Sequence, residues 1–116
     1  MPVARPLRIL VVDDDLHARE ALVGLLVEEG YDVRGAHDGV SAFAQLGTFR
    51  PDVIITDVRM PRMDGLALVD AVNALPGTPP RIIFVSATPR PDGAGRDAAG
   101  PYLTKPIVFD ELLALL

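Results

Sequence analysis

The chain alternates short apolar runs with longer segments in which apolar residues recur at helical spacing. Runs at residues 7–12, 53–55 and 81–86 are rich in Val, Ile and Leu, which is typical of strands buried on both faces of a parallel sheet. The pattern further predicts strands at residues 32–36 and 102–103, and helices at residues 16–29, 40–46, 66–75 and 107–116. This order predicts an α/β fold with one doubly wound parallel sheet of five strands and helices on both faces.

One segment breaks the alternation. Residues 89–101 contain three prolines and three glycines, which disfavour a helix. We therefore expect a loop, or one or two helical turns at residues 94–99, so that the fourth helix is short or disordered.

Length and composition limit the class of protein. A chain of 116 residues with 49% hydrophobic residues suffices for one domain with a single core. The net charge of −5 gives no basic surface for nucleic acid. The apolar run near the N-terminus is too short for a signal peptide or a membrane span, so we expect a cytoplasmic protein without membrane contact.

The last predicted helix carries more apolar residues than one buried face needs, and the sequence ends there without a capping signal. We expect that the domain at residues 1–116 is cut from a longer protein. The alternative is that this surface meets a partner or a second copy of the chain.

Three aspartates are predicted at one edge of the sheet. Asp13 and Asp14 follow the first strand and Asp57 ends the third, and these two strands are neighbours in the doubly wound order 2-1-3-4-5. Three carboxylates within about 5 Å repel one another by roughly 3 kcal/mol per pair at an effective dielectric near 20, so the cluster needs a cation. Hard oxygen ligands suit Mg²⁺. The alternative for acids before a helix is capping, which Asp15 fits as an N-cap.

Two further polar residues end strands at the same edge. The ammonium of Lys105 after the fifth strand can neutralise a phosphoryl oxygen, and the hydroxyl of Ser86 on the fourth can donate to one. Taken singly, a solvated lysine and a serine bonded to a loop carbonyl explain them as well. Together with the acids they form a set for phosphoryl transfer, in which Asp57 is the nucleophile and an acyl phosphate is the product.

Four sequence blocks contain these residues and follow one another in order: Val-Val-Asp13-Asp14, the block from Ile-Ile-Thr-Asp57 to Asp64-Gly65, Phe-Val-Ser86-Ala87 and Tyr102-Leu-Thr-Lys105-Pro106. In this order they resemble the receiver domain of two-component response regulators, in the CheY-like superfamily. The resemblance covers essentially the whole chain and implies a flavodoxin-like fold.

The resemblance also implies a function for the acidic site. Asp57 would accept a phosphoryl group from a sensor histidine kinase or a phosphotransfer protein. Mg²⁺ would be bound by Asp13, Asp14, Asp57 and the main-chain carbonyl of Arg59. The product is then a change of conformation rather than turnover, so we expect a signalling module and not an enzyme, with a downstream output domain or a homodimer as possible partners.

The remaining family positions concern switching and phosphate lifetime. Ser86 matches the switch hydroxyl and Tyr102 the aromatic switch residue, and the bond between Lys105 and Pro106 is expected to be cis. Arg59 and Thr88 match positions that tune dephosphorylation, although a solvated arginine explains Arg59 as well.

Two other functions stay open. A pseudo-receiver that acts as a constitutive interaction module is favoured by the Pro- and Gly-rich segment at residues 89–101. A phosphatase that works through an aspartyl phosphate would need a second acid two residues after its nucleophile, and Arg59 stands there.

Overall fold

The computed structural model describes residues 5–58, 65–87 and 101–116. Within these ranges the strands are β1 (Arg8–Val12), β2 (Asp32–Ala36), β3 (Val53–Asp57), β4 (Arg81–Ser86) and β5 (Tyr102–Thr104). The helices are α1 (Leu16–Glu28), α2 (Gly39–Phe49), α3 (Gly65–Asn73) and the C-terminal helix α4 (Phe109–Leu115). The short or disordered helix expected between β4 and β5 falls outside the described residues.

The described strands form one parallel sheet in the order β2-β1-β3-β4-β5. This confirms the predicted fold class and strand order. Because β1 and β3 are neighbours, the residues that follow them meet at the carboxyl edge of the sheet, where open α/β sheets bind their ligands.

Two apolar clusters cover the two faces of the sheet. Successive residues of β1 alternate between them, as expected for a strand whose side chains point to opposite faces. One cluster includes Leu26 of α1 and Leu112 of α4, and the other includes Phe49 of α2 and Leu68 of α3. All four side chains are at most 3% exposed. The sheet is therefore buried on both faces, which explains the nearly continuous apolar strands in the sequence.

Local hydrogen bonds fix both ends of α1. The carboxylate of Asp15 accepts hydrogen bonds from the backbone N–H groups of His17 and Ala18 at 2.9 and 3.2 Å. These bonds, the one from Ala18 foremost, lower the pKa of Asp15. At the other end Gly30 has a φ of +96°, and its N–H donates to the carbonyl of Val27. The structure thus confirms Asp15 as the N-cap, and Gly30 follows the helix in the left-handed backbone conformation that ends it.

Helix α2 is longer than the sequence predicts. The expected span was residues 40–46, whereas the helix continues to residue 49. Gly47 is a poor helix former and lowers the predicted propensity there. Phe49 is nevertheless only 3% exposed, and the guanidinium of Arg34 lies 4.7 Å from the centroid of its ring. Tertiary packing of Phe49 therefore extends the helix beyond its local signal.

The C-terminal helix uses most of its apolar surface within the domain. Leu112 is fully buried. Five further apolar residues of this segment are partly buried and pack against the core cluster that contains Leu112: Ile107, Phe109, Leu113, Leu115 and Leu116. Val108 is the exposed large apolar side chain of residues 107–116, at 56%. The apolar excess inferred from the sequence is thus mostly core.

No helix in the described ranges has the length and apolar character needed to cross a membrane.

Candidate functional site

Asp13, Asp14 and Asp57 lie together at the carboxyl edge of the sheet. Each offers a carboxylate oxygen that lies within 4.8 Å of those of the other two. Asp13 is buried, Asp57 is half-buried and Asp14 is exposed. The fold therefore brings together three of the predicted Mg²⁺ ligands. The fourth, the main-chain carbonyl of Arg59, lies outside the described residues.

The ammonium group of Lys105 bridges two of these carboxylates. Its Nζ atom lies 2.9 Å from Oδ2 of Asp13 and 3.0 Å from Oδ2 of Asp57. Burial lowers the pKa of Lys105, but the hydrogen bonds to Asp13 and Asp57 outweigh burial, so the pKa is raised overall. Lys105 is therefore charged at neutral pH and offsets the repulsion between the two acids.

Backbone contacts between β4 and the end of β5 place Lys105 at this edge. The N–H of Lys105 donates to the carbonyl of Ser86 at 2.7 Å. The bond between Lys105 and Pro106 is cis, as the family resemblance led us to expect. Ser86 is only 4% exposed, and its neighbour Val85 is paired with Asp57. The predicted residue Ser86 thus lies at the same edge as the acids, while its role as a switch stays a prediction.

The backbone of Asp13 is held from both sides. Its N–H donates to the carbonyl of Ala36 at 3.1 Å, and its carbonyl accepts a hydrogen bond from Nη1 of Arg19 at 2.7 Å. Its carboxylate Oδ1 accepts the N–H of Asp15 at 2.9 Å. The sequence carries no signal for this role of Arg19, because nothing in a helical pattern reveals a contact with a carbonyl on another element.

Gly65 lets α3 begin directly against the backbone of Asp57. A β-carbon at position 65 would lie 2.5 Å from the carbonyl oxygen of Asp57 and 3.2 Å from both Cα of Val58 and Cε1 of Phe84. The N–H of Gly65 donates to the carbonyl of Val58 at 2.9 Å. Gly65 is therefore needed for space beside the site.

The remaining predicted site residues are Tyr102, Arg59 and Thr88. Tyr102 is half-buried and packs against the cluster of Val69 and Phe84. Its role as a switch stays a prediction. Arg59 and Thr88, the positions expected to tune phosphate lifetime, lie outside the described residues.

A groove of about 500 Å³ opens beside the acids, between α1 and the segment that follows β5. Asp13 and Lys105 contribute to its lining, and the rest is apolar: Ala18, Ala21, Leu22, Leu25, Pro106, Ile107 and Phe109. The acidic edge therefore adjoins an apolar surface on which another molecule can pack.

Fold and site together define a class: a doubly wound α/β domain with a lysine-bridged acidic cluster at the carboxyl edge of its sheet. Residues 9–116 match the response regulator receiver domain family. The chain belongs to this family and is a receiver domain of a two-component response regulator. This confirms the resemblance seen in the sequence.

Curated relatives agree with this assignment. The response regulator MprA of Mycobacterium tuberculosis H37Rv is 45% identical over 112 residues, which cover 92% of this chain and 47% of the relative. MprA of Mycobacterium avium is 42% identical over 110 residues, covering 93% of this chain and 48% of the relative. The chain thus spans about half the length of the curated relatives it matches.

Two crystal structures have the same fold. A response regulator receiver protein from Pseudomonas putida is 33% identical with a TM-score of 0.87, covering 97% of each chain. The chemotaxis protein CheY4 of Vibrio cholerae is 32% identical with a TM-score of 0.81, covering 95% of each chain.

Proposed function

We propose that this domain accepts a phosphoryl group on Asp57 from the phosphohistidine of a sensor histidine kinase or a phosphotransfer protein. The supporting observation is the arrangement of Asp57 beside two further aspartates and Lys105 at the ligand-binding edge of the sheet. A carboxylate oxygen of Asp57 forms the new bond to phosphorus as the P–N bond of the donor breaks. The histidine nitrogen leaves with the electron pair, and the product on Asp57 is an acyl phosphate.

The acids suit Mg²⁺ as the cofactor of this transfer. Asp13, Asp14 and Asp57 supply hard oxygen ligands close to one another, and exposed Asp14 leaves a side open to water and to a phosphate oxygen. The carbonyl of Arg59 is the proposed fourth protein ligand. When bound, Mg²⁺ neutralises the acids and the charge of the incoming phosphoryl group.

The remaining residues hold the transferred group and pass on its arrival. In this proposal the Lys105 ammonium contacts a phosphoryl oxygen, and the Ser86 hydroxyl donates to another. Ser86 is bonded through its carbonyl to the backbone of Lys105, so a shift at the end of β4 moves the end of β5 as well. Tyr102, on β5, then changes its packing. The output is this change of conformation rather than turnover.

Partners follow from the same site and from the relatives. The apolar groove beside Asp13 and Lys105 provides a surface on which a phosphate donor can pack while its phosphohistidine reaches Asp57. Because the curated relatives are about twice as long as this chain, we propose a downstream output domain. A homodimer and a cytoplasmic location remain predictions from the sequence.

Acetyl phosphate with Mg²⁺ tests the proposal by intact-protein mass spectrometry. We expect wild type to gain the mass of one phosphoryl group, Asp57→Asn to gain none, and a chelator to prevent the gain. Asp70→Asn, an exposed aspartate on α3, is the matched control and is expected to behave like wild type. A folded wild type that gains nothing would leave the pseudo-receiver, and a gain that persists in Asp57→Asn would assign another acceptor.

A further inference from the structure

We propose that Arg19 is a positioning residue for the metal site, because it fixes the peptide that joins Asp13 to Asp14. Its Nη1 atom donates to the carbonyl oxygen of Asp13 at 2.7 Å. This inference rests on the proposed Mg²⁺ function of the acids and assigns a determinant of their cation affinity.

The hydrogen bond from Arg19 completes the fixation of the Asp13 backbone. The N–H of Asp13 is already paired with the carbonyl of Ala36 at 3.1 Å, as a continuation of the pairing between β1 and β2. The carbonyl is at the other side of the residue, and β1 ends before it. Since a peptide unit is planar, holding this carbonyl also sets the direction in which the chain enters Asp14.

Asp14 depends on this peptide more than Asp13 does. The Asp13 carboxylate is held by the N–H of Asp15 at 2.9 Å and by Lys105 at 2.9 Å. Asp14 is exposed, and within the described ranges no hydrogen bond or ion pair holds its carboxylate. Its position relative to the other two acids is therefore set by the backbone, which Arg19 holds in place.

Arg19 reaches the carbonyl across a gap left by Gly35. A β-carbon at position 35 would lie 3.0 Å from Cδ and 3.2 Å from Cγ of Arg19. The φ of Gly35 lies outside the positive region, so the glycine is explained by space and not by backbone freedom. A glycine inside a strand often marks such a close approach. On the carbonyl side, Nε2 of Gln45 donates to the carbonyl of Gly35 at 3.1 Å and fixes the strand there.

The sign of the effect on Mg²⁺ separates positioning from simple charge. Coulomb's law alone predicts that removing the Arg19 cation from beside the acids strengthens Mg²⁺ binding. Loss of positioning predicts the opposite, because outer contacts that orient metal ligands typically contribute about 10- to 100-fold in affinity. Arg19→Gln is therefore expected to bind Mg²⁺ about tenfold more weakly.

Calorimetric titration with Mg²⁺ alone measures this affinity. Arg19→Lys keeps the charge and an N–H donor and is expected to recover part of the loss. Arg34→Gln is the matched control, since it removes a cation from β2 whose guanidinium contacts the Phe49 ring. We expect its Mg²⁺ affinity to equal or slightly exceed that of wild type. Thermal unfolding of each variant verifies that it is folded.

Two further measurements test the geometry. In metal-free protein the Asp15 amide, bonded to the Asp13 carboxylate, should exchange its hydrogen faster in Arg19→Gln than in wild type. Gly35→Ala should weaken Mg²⁺ binding by displacing Arg19. The double variant should then bind no more weakly than Arg19→Gln, because both changes act on one contact.

The outcomes distinguish this inference from the function on which it rests. A folded Arg19→Gln that binds Mg²⁺ as tightly as wild type, or more tightly, would overturn the positioning role and leave the proposed function intact. A lower melting temperature with unchanged Mg²⁺ affinity would have the same consequence. A folded wild type that binds no Mg²⁺ would overturn both.

Discussion

Nζ of Lys105 lies 3.0 Å from Oδ2 of Asp57, although 48 residues separate the two in the sequence. The same ammonium lies 2.9 Å from Oδ2 of Asp13. Lys105 thus occupies oxygens of two of the three acids proposed to bind Mg²⁺. In the metal-free domain its positive charge offsets part of the charge of the acids, and the same charge opposes the binding of a metal cation beside it.

Lys105→Met should therefore have opposite effects on metal binding and on phosphorylation. Removing the competing cation should tighten Mg²⁺ binding by about 1 kcal/mol, or roughly fivefold. Removing the group that neutralises a phosphoryl oxygen should slow phosphorylation by acetyl phosphate by roughly a hundredfold. Calorimetry and phosphorylation rates at saturating Mg²⁺ measure the two effects. Lys105→Arg, which keeps the charge, is the control, and weaker Mg²⁺ binding by Lys105→Met would contradict the competition.

Gly65→Ala should destabilise the domain, because the new β-carbon would lie 2.5 Å from the backbone oxygen of Asp57, which cannot rotate away. We expect a loss of about 1–3 kcal/mol in the free energy of unfolding, measured by urea denaturation. Gly24→Ala, in the interior of α1 with nothing within 4 Å of its β-carbon, is the control. It should stabilise the domain by roughly 0.5–1 kcal/mol. Equal effects of the two changes would contradict the close approach at Gly65.

We expect Asp52 to make the free energy of unfolding depend on pH in the acidic range. Hydrogen bonds from the Arg5 guanidinium, at 2.8 and 2.9 Å, and from the backbone N–H of Arg8 lower the pKa of Asp52. A lowered folded-state pKa stabilises the domain above the unfolded pKa of about 4, and this contribution disappears as the pH falls through the folded pKa.

Urea denaturation of Asp52→Asn checks this dependence. We expect a modestly lower free energy of unfolding than wild type at pH 7, with the difference shrinking below about pH 4. Asp32→Asn is the control, since its carboxylate is 53% exposed and lies 3.9 Å from Arg8. A constant difference between Asp52→Asn and wild type across this pH range would show that the charge is not involved.

Leu112→Ala should be among the more costly changes in the C-terminal helix. Leu112 is fully buried against the sheet, and truncation of such a side chain typically costs about 2–5 kcal/mol. Val108→Ala changes an apolar residue that is 56% exposed and should alter the free energy of unfolding by less than about 0.5 kcal/mol. A large effect at Val108 would indicate that this surface is covered in solution.

The fold was predictable from the sequence because the strands with the clearest apolar pattern are also the most deeply buried elements. The apolar runs of β1, β3 and β4 are buried on both faces, so pattern and structure coincide. The end of α2 was not predicted because weak helix formers precede Phe49. The helix is extended there by the tertiary packing of Phe49, which a local pattern does not show. The apolar residues after Pro106 exceed what one helix face needs in the sequence, yet most of them pack within the domain. A sequence pattern does not show how much of a helix surface the core covers.

The site was predictable to the extent that strand ends converge. Asp13 and Lys105 follow parallel strands and Asp57 ends one, so the topology places all three at the same edge. Arg19 was not predictable in the same way, because its partners are a backbone carbonyl and a space at Gly35. The glycine inside β2 is the available sequence signal for a close approach. The element that approaches, α1, is known only from the structure.

Identification of the phosphorylated residue tests the central claim most directly. Borohydride reduces an aspartyl phosphate to homoserine, so peptide mass spectrometry after phosphorylation and reduction locates the acceptor. We predict homoserine at position 57 in wild type treated with acetyl phosphate and Mg²⁺, and none when Mg²⁺ is removed. Homoserine at another aspartate, or at no position in a folded and Mg²⁺-loaded domain, would contradict the assignment of Asp57 as the phosphoacceptor.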